Sequence, residues 1–136
     1  MATLAALIPE PVQRWHHVAA TQDVAALDAL LDDAVVFHSP VVHTPQVGKP
    51  ITLKYLSAAM KVLNNDSFTY LNEWYGARSA VLEFNTTCEG ILIDGIDMIR
   101  WNEQGLVTDF KVMVRPLKAV NKLHELMGRM LQPPPR

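Results

Sequence analysis

Cysteine is nearly absent from this chain of 136 residues: Cys88 stands alone. An internal disulfide framework is excluded, and a reducing, cytoplasmic compartment is the expected setting. Beside Glu89, whose charge would raise a thiol pKa, Cys88 reads as a small buried hydrophobe rather than a nucleophile. Basic clusters are missing as well. The formal net charge is -2, from 12 Lys and Arg against 14 Asp and Glu, so no basic face offers itself to nucleic acid. Apolar runs are short, none approaching the roughly 20 residues of a membrane span. Residues 1–8 are apolar but lack a basic start and run into Pro9-Glu10-Pro11, unlike a signal peptide. No glycine-rich phosphate loop occurs, so no cofactor is implied. The histidines lack the further ligands at recognisable spacing that zinc or iron needs, and no metal site is expected.

What remains is ordinary globular material. A hydrophobic share of 49% suits one core and one domain over residues 1–131, with Pro133-Pro134-Pro135-Arg136 as a flexible tail. Three helical patterns come first. Pro11 suits a first helical turn, and Val12, Trp15 and Val18 follow at helical spacing. Thr21 is placed to cap a second helix with Asp23 in its first turn and Val24, Leu27, Leu30 and Leu31 on one face. Asp32-Asp33 would end it, before a short strand over 34–38 that Ser39-Pro40 halts. Pro50 opens a third helix, whose Ile51, Tyr55, Leu56, Ala59, Met60 and Leu63 form an apolar stripe up to Asn64-Asn65-Asp66.

The period then changes. Residues 68–75, 80–87, 91–101 and 106–114 are strand-like and separated by Gly76-Ala77-Arg78, Glu89-Gly90 and Asn102-Glu103-Gln104-Gly105. Four long strands on short turns imply an antiparallel meander. Pro116 opens a last helix carrying Leu117, Val120, Leu123 and Met127. The pattern predicts an α+β layer structure, helices on one face of a curved sheet. In the third long strand Ile91, Ile93 and Ile99 alternate with Leu92, Ile96 and Met98. The second apolar face needs cover, and a homodimer through the sheet supplies it most simply.

Two stretches carry a resemblance: Val12-Gln13-Arg14-Trp15 with Leu30-Leu31-Asp32-Asp33-Ala34-Val35-Val36-Phe37-His38-Ser39-Pro40, and Gly95-Ile96-Asp97-Met98-Ile99-Arg100-Trp101-Asn102-Glu103-Gln104-Gly105-Leu106-Val107. With the element order, the chain resembles the nuclear-transport-factor-2-like superfamily, which includes ketosteroid isomerases, limonene epoxide hydrolases and SnoaL-like polyketide cyclases. The resemblance implies a cone, a curved sheet wrapped around helices and enclosing a pocket, within a homodimer. Function is not implied with equal sharpness, because one scaffold hosts unrelated activities. Ketosteroid isomerases use a tyrosine on the first helix, a protonated aspartic acid on a late strand, and an aspartate that moves the proton. Trp15 falls where the tyrosine would be, and Ser39 where the base would be. Only Asp97 matches the retained acid, so ketosteroid isomerisation is not expected. The Asp–Arg–Asp group of the epoxide hydrolases would need a carboxylate near Val112, where none exists.

Asp97 is accordingly the leading candidate: a carboxyl interrupting an apolar strand is held neutral by desolvation and can donate to a carbonyl. The structural alternative pairs it with Arg100 or Arg115 or leaves it at the sheet edge. His38 is the second catalytic candidate, a titrating group near Ser39, although alternation puts it opposite Phe37 and Ser39. His43 is a weaker version of the same idea. One of His16 and His17 should face solvent, and His124 reads as packing or a dimer contact. Ser39 has no nucleophile-elbow spacing, and its hydroxyl can bond the turn backbone beside Pro40. Trp15, Phe37, Ser39, Tyr55, Met60, Phe110 and Val112 are the expected lining of an apolar ligand pocket. Together these residues point to a small apolar carbonyl compound, bound either for cofactor-free acid/base chemistry of isomerase, cyclase or lyase type or without catalysis.

Overall fold

A computed structural model describes residues 7–131 of the chain; the proline-rich tail lies outside the described residues. Four helices and one six-stranded curved, unclosed sheet make up the structure, in the order α1 (Glu10–Thr21), α2 (Val24–Leu30), β1 (Leu31–His38), β2 (Gln46–Val47), α3 (Lys49–Leu63), β3 (Thr69–Tyr75), β4 (Ser79–Cys88), β5 (Ile91–Trp101), β6 (Val107–Arg115) and α4 (Leu117–Leu131). Helix α1 places Pro11 in its first turn and buries Val12, Trp15, Val18 and Ala19, a stripe at helical period. Helix α2 is capped by Asp23 rather than Thr21: the carboxylate accepts from the Ala26 N–H at 3.1 Å. Thr21 instead donates to the His17 carbonyl at the end of α1.

Two further expectations shift at this corner. Leu31, Asp32 and Asp33 belong to β1, not to the helix, because Asp32 turns its carboxylate to the Ala34 N–H and to Asn102. Side-chain oxygens that compete for backbone donors favour such irregular stretches over helix. The pairing of β1 with β6 is accordingly broken between Leu31 and Val36. A two-residue strand, β2, also forms in the segment read as loop, and pairs with β1 through Val36–Val47 and Phe37–Gln46.

The sheet order is β2-β1-β6-β5-β4-β3. Strands β3 to β6 are the antiparallel meander, and β1 joins its far side by parallel pairing with β6. Helix α3 packs on β1 and on α4, and α4 lies against β5 and β6. The helices cover one face of the sheet. There Ala80, Leu82, Phe84, Ile93, Ile99, Phe110 and Val112 are buried with Leu27, Leu56 and Leu123 from the helices. The other face leaves Leu92, Met98 and Met113 exposed. Ile51 is also exposed, and Thr52 takes its place on the buried side of α3. Among the described residues, no helix is long and apolar enough to cross a membrane.

Candidate functional site

Strand alternation decides where Asp97 points. On β5 the odd positions Ile93, Gly95, Asp97, Ile99 and Trp101 are buried under the helices, and Asp97 sits between Leu82 of β4 and Val112 of β6. Its residue is only 5% exposed. Neither arginine reaches it: Arg115 pairs with Asp94 at 3.2 Å, and Arg100 lies on the opposite face beside His38. The carboxyl is buried without a cation.

Its partner is a tyrosine. The Tyr70 hydroxyl on β3 donates to Asp97 Oδ2 at 2.6 Å. That hydroxyl in turn accepts from Trp15 Nε1 on α1 at 2.7 Å. An indole N–H is a donor only and a phenol is both donor and acceptor, so the direction of the chain is fixed by chemistry: Trp15 to Tyr70 to Asp97. Burial pushes the Asp97 pKa up to about 7, against the opposing pull of the bonds from Tyr70 and Trp15. Desolvation disfavours the charged form more than these donors restore it. The Tyr70 pKa is held well above its usual value, first by burial and then by the neighbouring carboxylate. Near neutral pH Asp97 therefore exists in both forms, and Tyr70 keeps its proton.

The carboxyl opens on a narrow apolar cavity of about 40 Å³. Trp15, Phe37, Ser39, Met60, Phe110 and Val112 line it, together with Tyr70 and Asp97. Helix α1 supplies the tryptophan, whose ring meets Phe110 edge-on at 4.7 Å. Phe37 comes from the regular half of β1 and Met60 from the buried stripe of α3. Ser39 accepts the Val41 N–H across Pro40 at 3.1 Å, a local turn bond.

Two expected members lie elsewhere. Tyr55 is not part of the lining and packs behind it, its ring 5.9 Å from Phe37. His38 is on the other face of the sheet, in a groove with Met98, Arg100, Asp109 and Lys111. It cannot share a substrate with Asp97, since a strand reverses side-chain direction at every residue and Phe37 takes the inward position. His43 and His124 are exposed. Cys88 is buried, donates to the Val62 carbonyl at 3.3 Å and has its thiol pKa raised by burial. Among the described residues, no group of three or more His, Cys, Asp or Glu side chains could hold a metal ion.

Tyr70 is the residue that sequence reasoning missed. Its aromatic alternation with Phe68 was a usable signal, because the two even positions share a face and Phe68 stacks on the buried Phe84 at 5.1 Å.

Comparison with known proteins agrees with this architecture. A crystal structure of a steroid delta-isomerase from Pseudomonas aeruginosa superposes with a TM-score of 0.84, at 38% identity over 89% of this chain and 88% of that one. A protein of cystatin-like fold conserved in bacteria, from Silicibacter pomeroyi, gives 0.82 at 28% identity over 88% and 84%. A Sinorhizobium meliloti protein provisionally assigned as a polyketide cyclase shares the fold alone, with a TM-score of 0.65 at 14% identity over 82% and 100%. No curated protein matches the sequence at a significant level. The model of the SnoaL-like domain matches residues 12–110. That match spans most of the first helix and the whole acid-bearing strand, and the chain belongs to the SnoaL-like domain family.

Proposed function

We propose that the cavity binds a small, mainly apolar carbonyl compound and that Asp97 exchanges a proton with it, in a cofactor-free reaction of isomerase or cyclase type. The observation that carries this reading is the donor chain Trp15 to Tyr70 to Asp97 at the wall of an apolar cavity. A carboxyl with a pKa of about 7 is balanced for general acid–base work near neutral pH. Protonated, it donates to a carbonyl oxygen; ionised, it takes a proton from the carbon beside that carbonyl. Tyr70 sets the balance by donating to the ionised form, and the apolar walls strengthen every polar contact that a ligand makes there.

The similarity to a steroid delta-isomerase makes an unconjugated ketosteroid a reasonable test compound. Ser39 and Trp15 stand where such isomerases carry a base and a tyrosine, so binding is expected and isomerisation is not.

A second reading, a non-catalytic binding module, is favoured by one observation. Asp97 is the only carboxyl in the lining, and Tyr70 is held protonated, so one group alone can change its charge near pH 7. In either reading a homodimer through the sheet would cover Leu92, Met98 and Met113, and the cytoplasm remains the proposed location. Sedimentation at micromolar concentration tests the dimer, and a monomer would refute it.

A thermal-shift screen of carbonyl compounds, sterols and fatty acids on the wild type and Asp97→Asn tests the function. A ligand at about 100 times its dissociation constant stabilises by roughly 2.7 kcal/mol. Hits should be lost in the mutant and, in deuterium oxide, should exchange the proton beside the carbonyl. Hits that ignore the mutation and do not exchange would establish the binding module instead. Silence across the panel would sink both readings.

A further inference from the structure

The cavity beside Asp97 is smaller than any ring-bearing carbonyl compound. Its volume of about 40 Å³ is room for about three water molecules, whereas an apolar cavity that takes a benzene ring measures about 150 Å³. A ring-bearing ligand therefore enters only if a wall yields.

Most of the walls are tied in place. Phe37, Phe84, Phe110 and Val112 stand on strands that are paired along both edges, and Trp15 is bonded to Tyr70. Met60 belongs to α3, which packs on α2, β1 and α4. The remaining wall is α4, which contributes Leu123 and Met127 to the lining. It is the last element of the described chain and is joined to the sheet only through β6. Its other flank is loosely packed: Leu126, Arg129 and Met130 border a cleft of about 440 Å³ against α3 and the end of β4. Met127 is unbranched and adapts its shape by rotation.

One carboxylate clasps this helix from outside. Cys88 and Ile91 pair across a two-residue turn, in which Glu89 and Gly90 have φ values of 48° and 80°. Two successive positive φ values make a tight hairpin turn that matches the twist of the strands, so a fixed backbone aims Glu89. Its Oε1 accepts from Lys122 at 3.2 Å and its Oε2 from Arg129 at 3.3 Å, two turns of α4 apart. Glu125, between them on the helix, pairs with both cations as well. Among the described residues, Glu89 is the only group outside α4 that forms an ion pair with it. Half of the Glu89 side chain is exposed, and such pairs are weak and screened by salt. They bias a helix towards one position without fixing it there.

We propose that the second half of α4 is the lid of the ligand site, and that Glu89 is the latch that holds it shut. The inference rests on the ligand reading given above and adds the route by which a ring-bearing compound enters. Glu89 touches no ligand: it is a positioning residue that acts through the helix.

Two measurements test it. In the free protein, hydrogen exchange followed by NMR should show the amides of residues 123–127 opening locally, ahead of those of β5 and β6. Glu89→Gln should raise that opening about fivefold, the effect of losing two exposed pairs. In stopped-flow mixing, acetophenone should associate about fivefold faster with Glu89→Gln than with the wild type. Raising sodium chloride to about 0.5 M should speed the wild type to a similar extent and the variant by less than about twofold. The double variant Lys122→Gln, Arg129→Gln releases the latch from the helix side, leaves the turn intact and should match Glu89→Gln. Exchange of residues 123–127 as slow as that of β5 overturns the inference and leaves the carbonyl reading standing. So does association that ignores both Glu89 and salt. Acetophenone that binds neither the wild type nor the variants refutes the carbonyl reading, and the lid with it.

Discussion

Tyr70 and Asp97 lie two strands apart, on β3 and β5, with β4 between them, and their side chains meet at 2.6 Å beneath the helices. The acid is thereby held by one phenol and no cation. Burial raises its pKa and the bond from Tyr70 opposes that rise.

Stability should fall as pH rises through the acid's titration. The Asp97 pKa is raised from 3.8 to about 7 on folding, so between these values the folded chain holds a proton that the unfolded chain has released. Stability attributable to this group is full below about pH 4, declines up to about pH 7 and is level above. At about 1.36 kcal/mol per pKa unit the decline is on the order of 4 kcal/mol. Urea unfolding of the wild type and Asp97→Asn across this window measures it, because the difference between the two isolates Asp97. A pH-independent difference would show that the carboxyl is solvated.

Tyr70→Phe should drive the Asp97 pKa higher still. The substitution removes the bond to the ionised form and leaves desolvation unopposed by its main counterweight. It also strands the Trp15 N–H, at a cost of about 1–3 kcal/mol in stability. Carbon NMR titration of the aspartate carboxyls reads the first effect and chemical denaturation the second. A lowered carboxyl pKa in this variant would contradict the donor chain.

Gly95 is small for a packing reason. A Cβ there would stand 2.4 Å from the tip of the Phe84 ring, which lines the cavity and stacks on Phe68. Gly95→Ala should cost about 1–3 kcal/mol through overpacking and weaken every ligand of the apolar cavity by displacing that ring. Thermal-shift amplitudes compared with wild type give the answer; unchanged amplitudes would mean that Phe84 moves away from the site.

His38→Ala should leave ligand binding in the cavity within about twofold of wild type, since residues without shared contacts act independently. The side chain opens on the groove with Lys111 and Arg100. A large loss of binding would mean that the two faces of the sheet communicate.

Much of this was legible in the chain. Period alone located the α1 stripe, the Leu56, Met60 and Leu63 part of the buried side of α3 and the four long strands of the meander, because a helix or strand with one apolar face must bury it. The resemblance to the acid of the isomerases, together with a carboxyl interrupting an apolar strand, singled out Asp97, and its face was left to the structure. Local competition was harder to read: Asp23 rather than Thr21 caps α2, and Asp32 opens β1, since several side chains in a row could each claim the same backbone donors.

Only the tertiary structure decided which partner Asp97 receives. Tyr70 is 27 residues away in sequence, and the strand order that brings β3 over β5 by way of β4 is a property of the whole sheet. Likewise the bulge at Leu71 turns Glu73 onto the face of Tyr70 and towards His16, which no strict alternation can announce. The sequence by itself determined the periods, and with them most of the elements and the acid that interrupts the third long strand. Which distant side chains surround that acid depended on register and sheet order, because burial fixes the face of a strand but long-range pairing fixes its neighbours.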